Sequence, residues 1–166
     1  MQLGVYRYEM VGAVPLRIRV SLRQDRLDVF IDAVGRSALP QIRLFVSYSD
    51  TSVHVWDLYG NNPGGPLHRK GLGALAVNTA IQFLRQVCPA DASLRGHVTD
   101  AQDLSASAQE ARAAFWRAFN FKVTEPTPEG DQYLRGDLGS LQYVSGKALD
   151  EHPRWFDIAL MTWSPE

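Results

Sequence analysis

The run "PLRIRVSLR" sets Leu16, Ile18, Val20 and Leu22 on one side of an extended chain and Arg17, Arg19, Ser21 and Arg23 on the other. Alternation of this kind marks a strand with one face buried and one face wet. "RLDVFIDAV", "QIRLFVSYS" and "TSVHVWDLY" continue the extended character, divided by turn signals at Gln24-Asp25, across Gly35 to Pro40, and at Asp50-Thr51. Connections this short leave no room for crossover helices, so the first third of the chain is expected to be an antiparallel meander. "GVYRYEMV" is expected to add an opening strand.

At Gly71 the period changes. From Gly71 to Cys88 the polar residues Asn78, Gln82, Arg85 and Gln86 share one narrow helical face, and Val77, Ala80, Ile81, Leu84 and their neighbours fill the rest. That pattern predicts a helix packed over most of its circumference and stopped by Pro89. "SLRGHVT" reads as a short strand. A second helix is expected from Ser107, where Ser107-Ala108-Gln109-Glu110 fits a capping box, and it ends at Asn120, a residue that tolerates the left-handed conformation. "FKV" is a further strand, residues 124–154 read as loop with a short helix near Leu138 to Val144, and "WFDIALMTW" closes as a strand. The class is α+β: a meander passing into a β-α-β-α-β-β segment.

At 166 residues the chain suits a single domain, which buries about 70% of the surface its unfolded form exposes. Seventeen basic against 18 acidic residues and a pI near 6.4 give no general footprint for nucleic acid. No apolar run approaches membrane-spanning length, and "MQLGVYRYEM" lacks a signal-peptide layout, so a cytoplasmic location is expected. No pattern of metal ligands is present. Cys88, the one cysteine, ends an apolar helical run and reads as a buried structural thiol. The tryptophans Trp56, Trp116, Trp155 and Trp163 read most simply as core.

The junction "GNNPGGPLHRKGLGALAV" joins the meander to the first helix and carries the chemistry. Glycines before a helix let a ligand approach the backbone, and the first turn offers unpaired N–H groups at the positive dipole end. Arg69 and Lys70 would add charge, although solvated basic residues on a plain surface turn have the same composition. A mononucleotide loop is excluded, because no Gly-Lys-Ser/Thr occurs. Gly71-Leu72-Gly73-Ala74-Leu75-Ala76 meets the dinucleotide fingerprint literally, yet the upstream meander is not a βαβ unit, and Asp91 precedes the next strand rather than ending it.

His68-x-x-Gly71-x-Gly73 resembles the Arg/Gln-x-x-Gly-x-Gly/Ala signature of the GNAT superfamily of N-acetyltransferases. Downstream, "QEARAAFWRAFNFKV" is similar to that family's Asn-x-x-Ala-x-x-Phe-Tyr-x-x-x-Gly-Phe helix. Gln109 falls on the Asn, Trp116 on the Tyr, and Asn120-Phe121 on the Gly-Phe. The likeness covers residues 41–125. It implies a GNAT-like fold, a mixed, mostly antiparallel sheet flanked by helices and splayed between the strands at 52–59 and 93–99.

The resemblance also implies an acyl-coenzyme A-dependent N-acyltransferase, with acetyl-coenzyme A as cofactor and direct transfer in a ternary complex. The acceptor would be a small-molecule or protein amine, and a homodimer stays open. Pyrophosphate would lie on His68, Arg69, Lys70, Gly71, Leu72, Gly73 and Ala74, and the pantetheine arm near Leu58 and Tyr59, with Gln109 and Trp116 nearby. An acceptor ammonium must lose a proton, for which Asp57 and His97 are the candidates. His54 is expected on the opposite face from Asp57 by strand alternation. Trp116 replaces the family's proton-donating Tyr, and an indole N–H is too weak an acid for that role. Accordingly, a catalytically degenerate domain that binds coenzyme A or a protein is the alternative. The family's two helices between its first and second strands have no counterpart here, so an acceptor wall is expected from residues 125–154.

Overall fold

The computed structural model describes residues 2–10, 15–35, 41–60, 71–98, 105–144 and 163–165. Five strands open the chain: β1 (Gly4–Met10), β2 (Leu16–Leu22), β3 (Arg26–Ala33), β4 (Ile42–Tyr48) and β5 (Ser52–Gly60). Then follow α1 (Leu72–Val87), β6 (Ser93–Val98), α2 (Ala106–Arg117), β7 (Lys122–Val123) and β8 (Gln132–Asp137). A 3-10 turn at Leu138–Ser140 and β9 (Ser164–Pro165) complete the described residues. The strands form one sheet in the order β7-β8-β6-β5-β4-β3-β2-β1-β9. The meander β1 to β5 is antiparallel throughout, and β5 meets β6 in parallel across the α1 crossover.

Alternation decides which face is covered. Leu16, Ile18, Val20 and Leu22 of β2 are all buried, opposite Ala33, Ile31, Val29 and Leu27 of β3. Leu44 and Val46 continue this apolar face on β4, and Val53 and Val55 on β5. Helix α1 lies on it, burying Leu75, Ala76, Ile81, Phe83 and Leu84. Each large aliphatic side chain withdrawn from water contributes about 1.5–3 kcal/mol, so this single layer accounts for the cohesion of sheet and helix. The opposite face carries Arg19, Phe30, Arg43, Phe45 and Tyr59. Here guanidiniums lie over rings, Arg19 at 4.9 Å from the Phe30 centroid and Arg26 at 5.1 Å from that of Phe45.

The narrow polar face of α1 is engaged with protein. Asn78 is fully buried, donates through Nδ2 to the Val144 carbonyl at 2.9 Å and accepts the Val144 N–H at 3.0 Å. Gln82 accepts the Trp163 indole N–H at 2.8 Å, and Arg85 donates to the Leu141 carbonyl at 2.5 Å. A polar stripe on this helix therefore clasps the segment after β8.

Several local expectations are corrected. Residues 132–137, read as loop, form β8, which pairs antiparallel with β6 from Ser93↔Asp137 to Val98↔Gln132. The helix expected near Leu138 to Val144 is only the 3-10 turn at Leu138–Ser140. At α2 the cap is Ser105, not Ser107, its Oγ accepting from the Ala108 N–H at 3.3 Å. Glu110 takes no part in the cap and instead accepts from Arg117 at 2.9 Å. Asn120 does adopt the left-handed conformation, with φ 71°. The closing strand expected at residues 155–163 lies outside the described residues except at Trp163. Trp56 is 55% exposed, against the expectation of a core position.

Candidate functional site

Strand β5 runs nine residues, yet β6 pairs with only its first four, from Ser52↔Ser93 to Val55↔Gly96. Beyond Val55 the two strands part, and the β6-facing edge of residues 56–60 has no strand partner among the described residues. At the point of parting a Cβ on Gly96 would stand 3.0 Å from the Val55 carbonyl oxygen, so any side chain there would crowd the closest approach of the strands.

The start of α1 abuts that open edge. A Cβ on Gly73 would lie 3.8 Å from Leu58 Cδ2 and 3.6 Å from Phe115 of α2, so β5, α1 and α2 converge here. Gly71 is the N-cap with φ 82° and ψ 5°, a left-handed conformation that costs a side-chain-bearing residue about 1–2 kcal/mol. Among the described residues no side chain caps the helix, and its first turn holds no acid. The first intrahelical bond runs from Leu75 N–H to the Gly71 carbonyl, which leaves the amides of Leu72, Gly73 and Ala74 without intrahelical acceptors.

On the face away from α1, a bulge sets the side chains. Phe45 pairs with Asp57 and Val46 with Val55, so Trp56 is the extra residue of β5. The bulge reverses the alternation. His54, opposite Ser47, and Asp57, opposite Phe45, therefore share one face, contrary to the expectation of opposite faces. Trp56 stacks on His54 with centroids 4.0 Å apart and donates its indole N–H to Ser47 Oγ at 2.8 Å.

From β6, His97 faces the same way. Its Nε2 lies 2.9 Å from Asp131 Oδ1, and its ring stacks on Tyr133 at 5.1 Å. The turn ahead of β8 holds Asp131, its N–H donating to Thr127 Oγ1 and its carbonyl accepting from the Thr127 N–H, with Gly130 at φ 90°. His54, Trp56, Asp57, Arg95, Gly96, His97, Tyr133 and Arg135 enclose an open concavity of about 470 Å³. Burial, and secondly the charge of Arg95, hold His54 below the ordinary imidazole value, so its ring is neutral and able to accept a proton at neutral pH.

The succession β5, α1, β6, α2, β7, β8, with parallel neighbours parting beside an uncapped helix start, is the arrangement the sequence resemblance implies. The fold is GNAT-like.

Among solved structures the chain is similar to a protein from Desulfovibrio desulfuricans assigned to the GNAT family of acetyltransferases, with 12% identity, a TM-score of 0.47, and 69% of this chain and 70% of that chain covered. It is similar to the ribosomal-protein-S18-alanine N-acetyltransferase of Escherichia coli, with 15% identity, a TM-score of 0.47, and 76% of each chain covered. Nourseothricin acetyltransferase is a third, with 19% identity, a TM-score of 0.47, and 82% of this chain and 88% of that chain covered. No family model and no curated protein matches the sequence. At these identities and TM-scores the likenesses carry no argument about substrate or residue roles.

The residues expected at the site are placed differently by the structure. Gly71, Leu72, Gly73 and Ala74 form the uncapped start of α1, with Leu58 against it and Tyr59 one residue on, 40% exposed. His68, Arg69 and Lys70 lie outside the described residues. Asp57 and His97 line the concavity together, and His54 joins them. Gln109 is half-buried in the first turns of α2. Trp116 is buried, 6% exposed, among Phe115, Phe119 and Phe121, and belongs to the apolar layer between α1, α2 and the sheet rather than to the cleft surface. Cys88 is buried as expected, and desolvation, with Asp50 adding, raises its thiol above the ordinary range. No trio of metal-ligating side chains occurs among the described residues, and no helix among them is long and apolar enough to cross a membrane.

Proposed function

We propose that this protein is an acyl-coenzyme A-dependent N-acyltransferase, with acetyl-coenzyme A as the expected donor. One observation carries the reading: the parted edge of β5 and the uncapped start of α1 adjoin each other. An acyl-coenzyme A has a pyrophosphate, which needs several convergent N–H donors, and an amide-bearing arm, which needs a free strand edge. Both requirements fit the residues present. The amides of Leu72, Gly73 and Ala74 would hold the pyrophosphate at the positive end of α1. The edge beyond Val55, at Leu58 and Tyr59, would receive the arm.

When bound, the cofactor supplies an acyl thioester. The chain must then position an amine and remove its proton. Three acceptors share the concavity. Asp57 has no ion-pair partner among the described residues, His54 is biased toward its neutral form, and His97 is oriented by Asp131. Imidazole and carboxylate side chains are both groups that take a proton from an attacking amine, directly or through one water. Trp56, held by Ser47 and stacked on His54, shapes the wall beside them.

A second reading is a coenzyme A-binding module without catalysis. The burial of Trp116 favours it, since α2 then presents no acidic proton at the position where the resembling family keeps its Tyr. Thermal unfolding with acetyl-coenzyme A tests what the readings share. Ligand at about 100-fold over its dissociation constant adds roughly 2.7 kcal/mol of stability. Acetyl-coenzyme A is expected to raise the Tm more than free adenosine nucleotides do, and no shift at millimolar ligand overturns both readings. Thiol release with an amine library then separates enzyme from module.

A further inference from the structure

A row of positive charge crosses three strands of the sheet, and its two arginines line the concavity. Arg95 of β6 lies directly opposite Arg135 of β8, and Arg135 directly opposite Lys122 of β7. Directly paired residues of neighbouring strands project to the same face, and like charges in that relation repel. Strands are about 4.8 Å apart, so three cations stand in one transverse line. Among the described residues no carboxylate lies within ion-pair distance of Arg95, Arg135 or Lys122, whereas Arg17, Arg26 and Arg117 each have one. Among the described residues the only ring over either guanidinium is Tyr133, 6.0 Å from that of Arg135. Such a row is stable alone only because it is exposed, and it gains on meeting an anion.

Its position gives it meaning. Arg95 and Arg135 line the same concavity as His54, Asp57 and His97, with Trp56 and Tyr133 as aromatic walls. Two guanidiniums on adjacent strands can together offer parallel N–H pairs to a carboxylate or a phosphate, the strongest class of neutralising contact available to a side chain. A proton acceptor and an anion receptor within one small cavity select a ligand with an amine and an anion on one short skeleton.

We propose that Arg95 and Arg135, continued by Lys122, form a subsite for the anionic group of the acceptor, so that the substrate is a small amine bearing a carboxylate or phosphate. This rests on the N-acyltransferase reading. Neutral or polycationic amines would gain nothing from the row, and a polyamine would be repelled by it.

The test uses the full chain and two measurements. Without cofactor, γ-aminobutyrate, O-phosphoethanolamine and n-butylamine are titrated by calorimetry. With acetyl-coenzyme A, thiol release gives kcat/KM for the same three amines. Expected is a preference of about tenfold or more for one or both acidic amines over n-butylamine in each measurement, as for hydrogen bonds to charged groups. The two acidic amines distinguish a carboxylate from a phosphate site. In Arg95→Gln/Arg135→Gln the preference ratio should collapse toward one, and Arg95→Lys/Arg135→Lys should restore part of it. Both pairs are exposed, and circular dichroism checks their fold. If acetyl-coenzyme A binds but all three amines behave alike, the subsite is overturned and the cofactor reading stands. Absence of any acetyl-coenzyme A shift, with acidic amines still bound through the arginines, overturns the acyltransferase reading and leaves the subsite.

Discussion

Gly71 and Gly73 stand two residues apart at the head of α1, and the structure gives them different tasks. Gly71 has φ 82° and ψ 5°, so Gly71→Ala must hold a side chain in the left-handed region at a cost of about 1–2 kcal/mol. At about 2–4 °C per kcal/mol for a chain of this size, its Tm should fall by roughly 2–8 °C. Gly73 lies within the helix, and an added Cβ would meet Phe115 at 3.6 Å and Leu58 at 3.8 Å, ordinary contact distances. Gly73→Ala therefore introduces no clash and gains up to about 1 kcal/mol of helix propensity, so its Tm should equal or exceed the parent's. Thermal unfolding by circular dichroism measures both, and acetyl-coenzyme A titration adds a functional readout. Affinity should weaken in Gly71→Ala, where the first-turn amides lose their aim, and persist in Gly73→Ala. An unchanged Tm in Gly71→Ala, or a larger loss in Gly73→Ala, would refute this division of roles.

Further outcomes follow from other contacts. Arg95→Gln should raise the pKa of His54 toward 6.5, read from its ring resonances across pH, because the Arg95 charge is the second cause of its depression. Since that pKa is lowered on folding, the unfolded chain binds the extra proton as pH falls through 6.5. The group thus costs nothing above 6.5 and subtracts stability below it, so a denaturation midpoint should fall with pH in that window less steeply in His54→Asn than in the parent. Ser105→Ala should lose about 1 kcal/mol and Ser107→Ala clearly less; equal losses would reinstate the cap at Ser107. Asn78→Ala should cost about 1–3 kcal/mol by leaving both backbone groups of Val144 unpaired, measured in urea. Trp116→Ala should cost about 3–5 kcal/mol, as a large ring leaves the core.

Alternation along "PLRIRVSLR" is a local property, and it found β2, its neighbours and their buried face. The same logic missed β8, because Gln132-Tyr133-Leu134-Arg135 offers one aliphatic residue and follows a segment rich in Pro and Gly. The cleft was legible in outline: β5 and β6 part where the glycine loop and the second helix pattern imply. Its side-chain geometry was not. The bulge at Trp56 depends on the register of β4, which no reading of β5 alone contains, so strand alternation separates His54 from Asp57 where the structure puts them on one face. Asp131 reaches His97 across 34 residues of sequence, and only the pairing of β6 with β8 brings them together. Two serines, Ser105 and Ser107, both suit a helix cap, and the sequence favoured the one with Glu110 three residues on.

Amide hydrogen exchange with and without millimolar acetyl-coenzyme A bears most directly on the claim that the β5 edge and the α1 start together bind an acyl-coenzyme A. Protection should appear at both places, at Asp57 to Gly60 and at Leu72 to Ala74, with the paired half of β5 unchanged. Protection at neither place, or confined to a region remote from both, would contradict the claim.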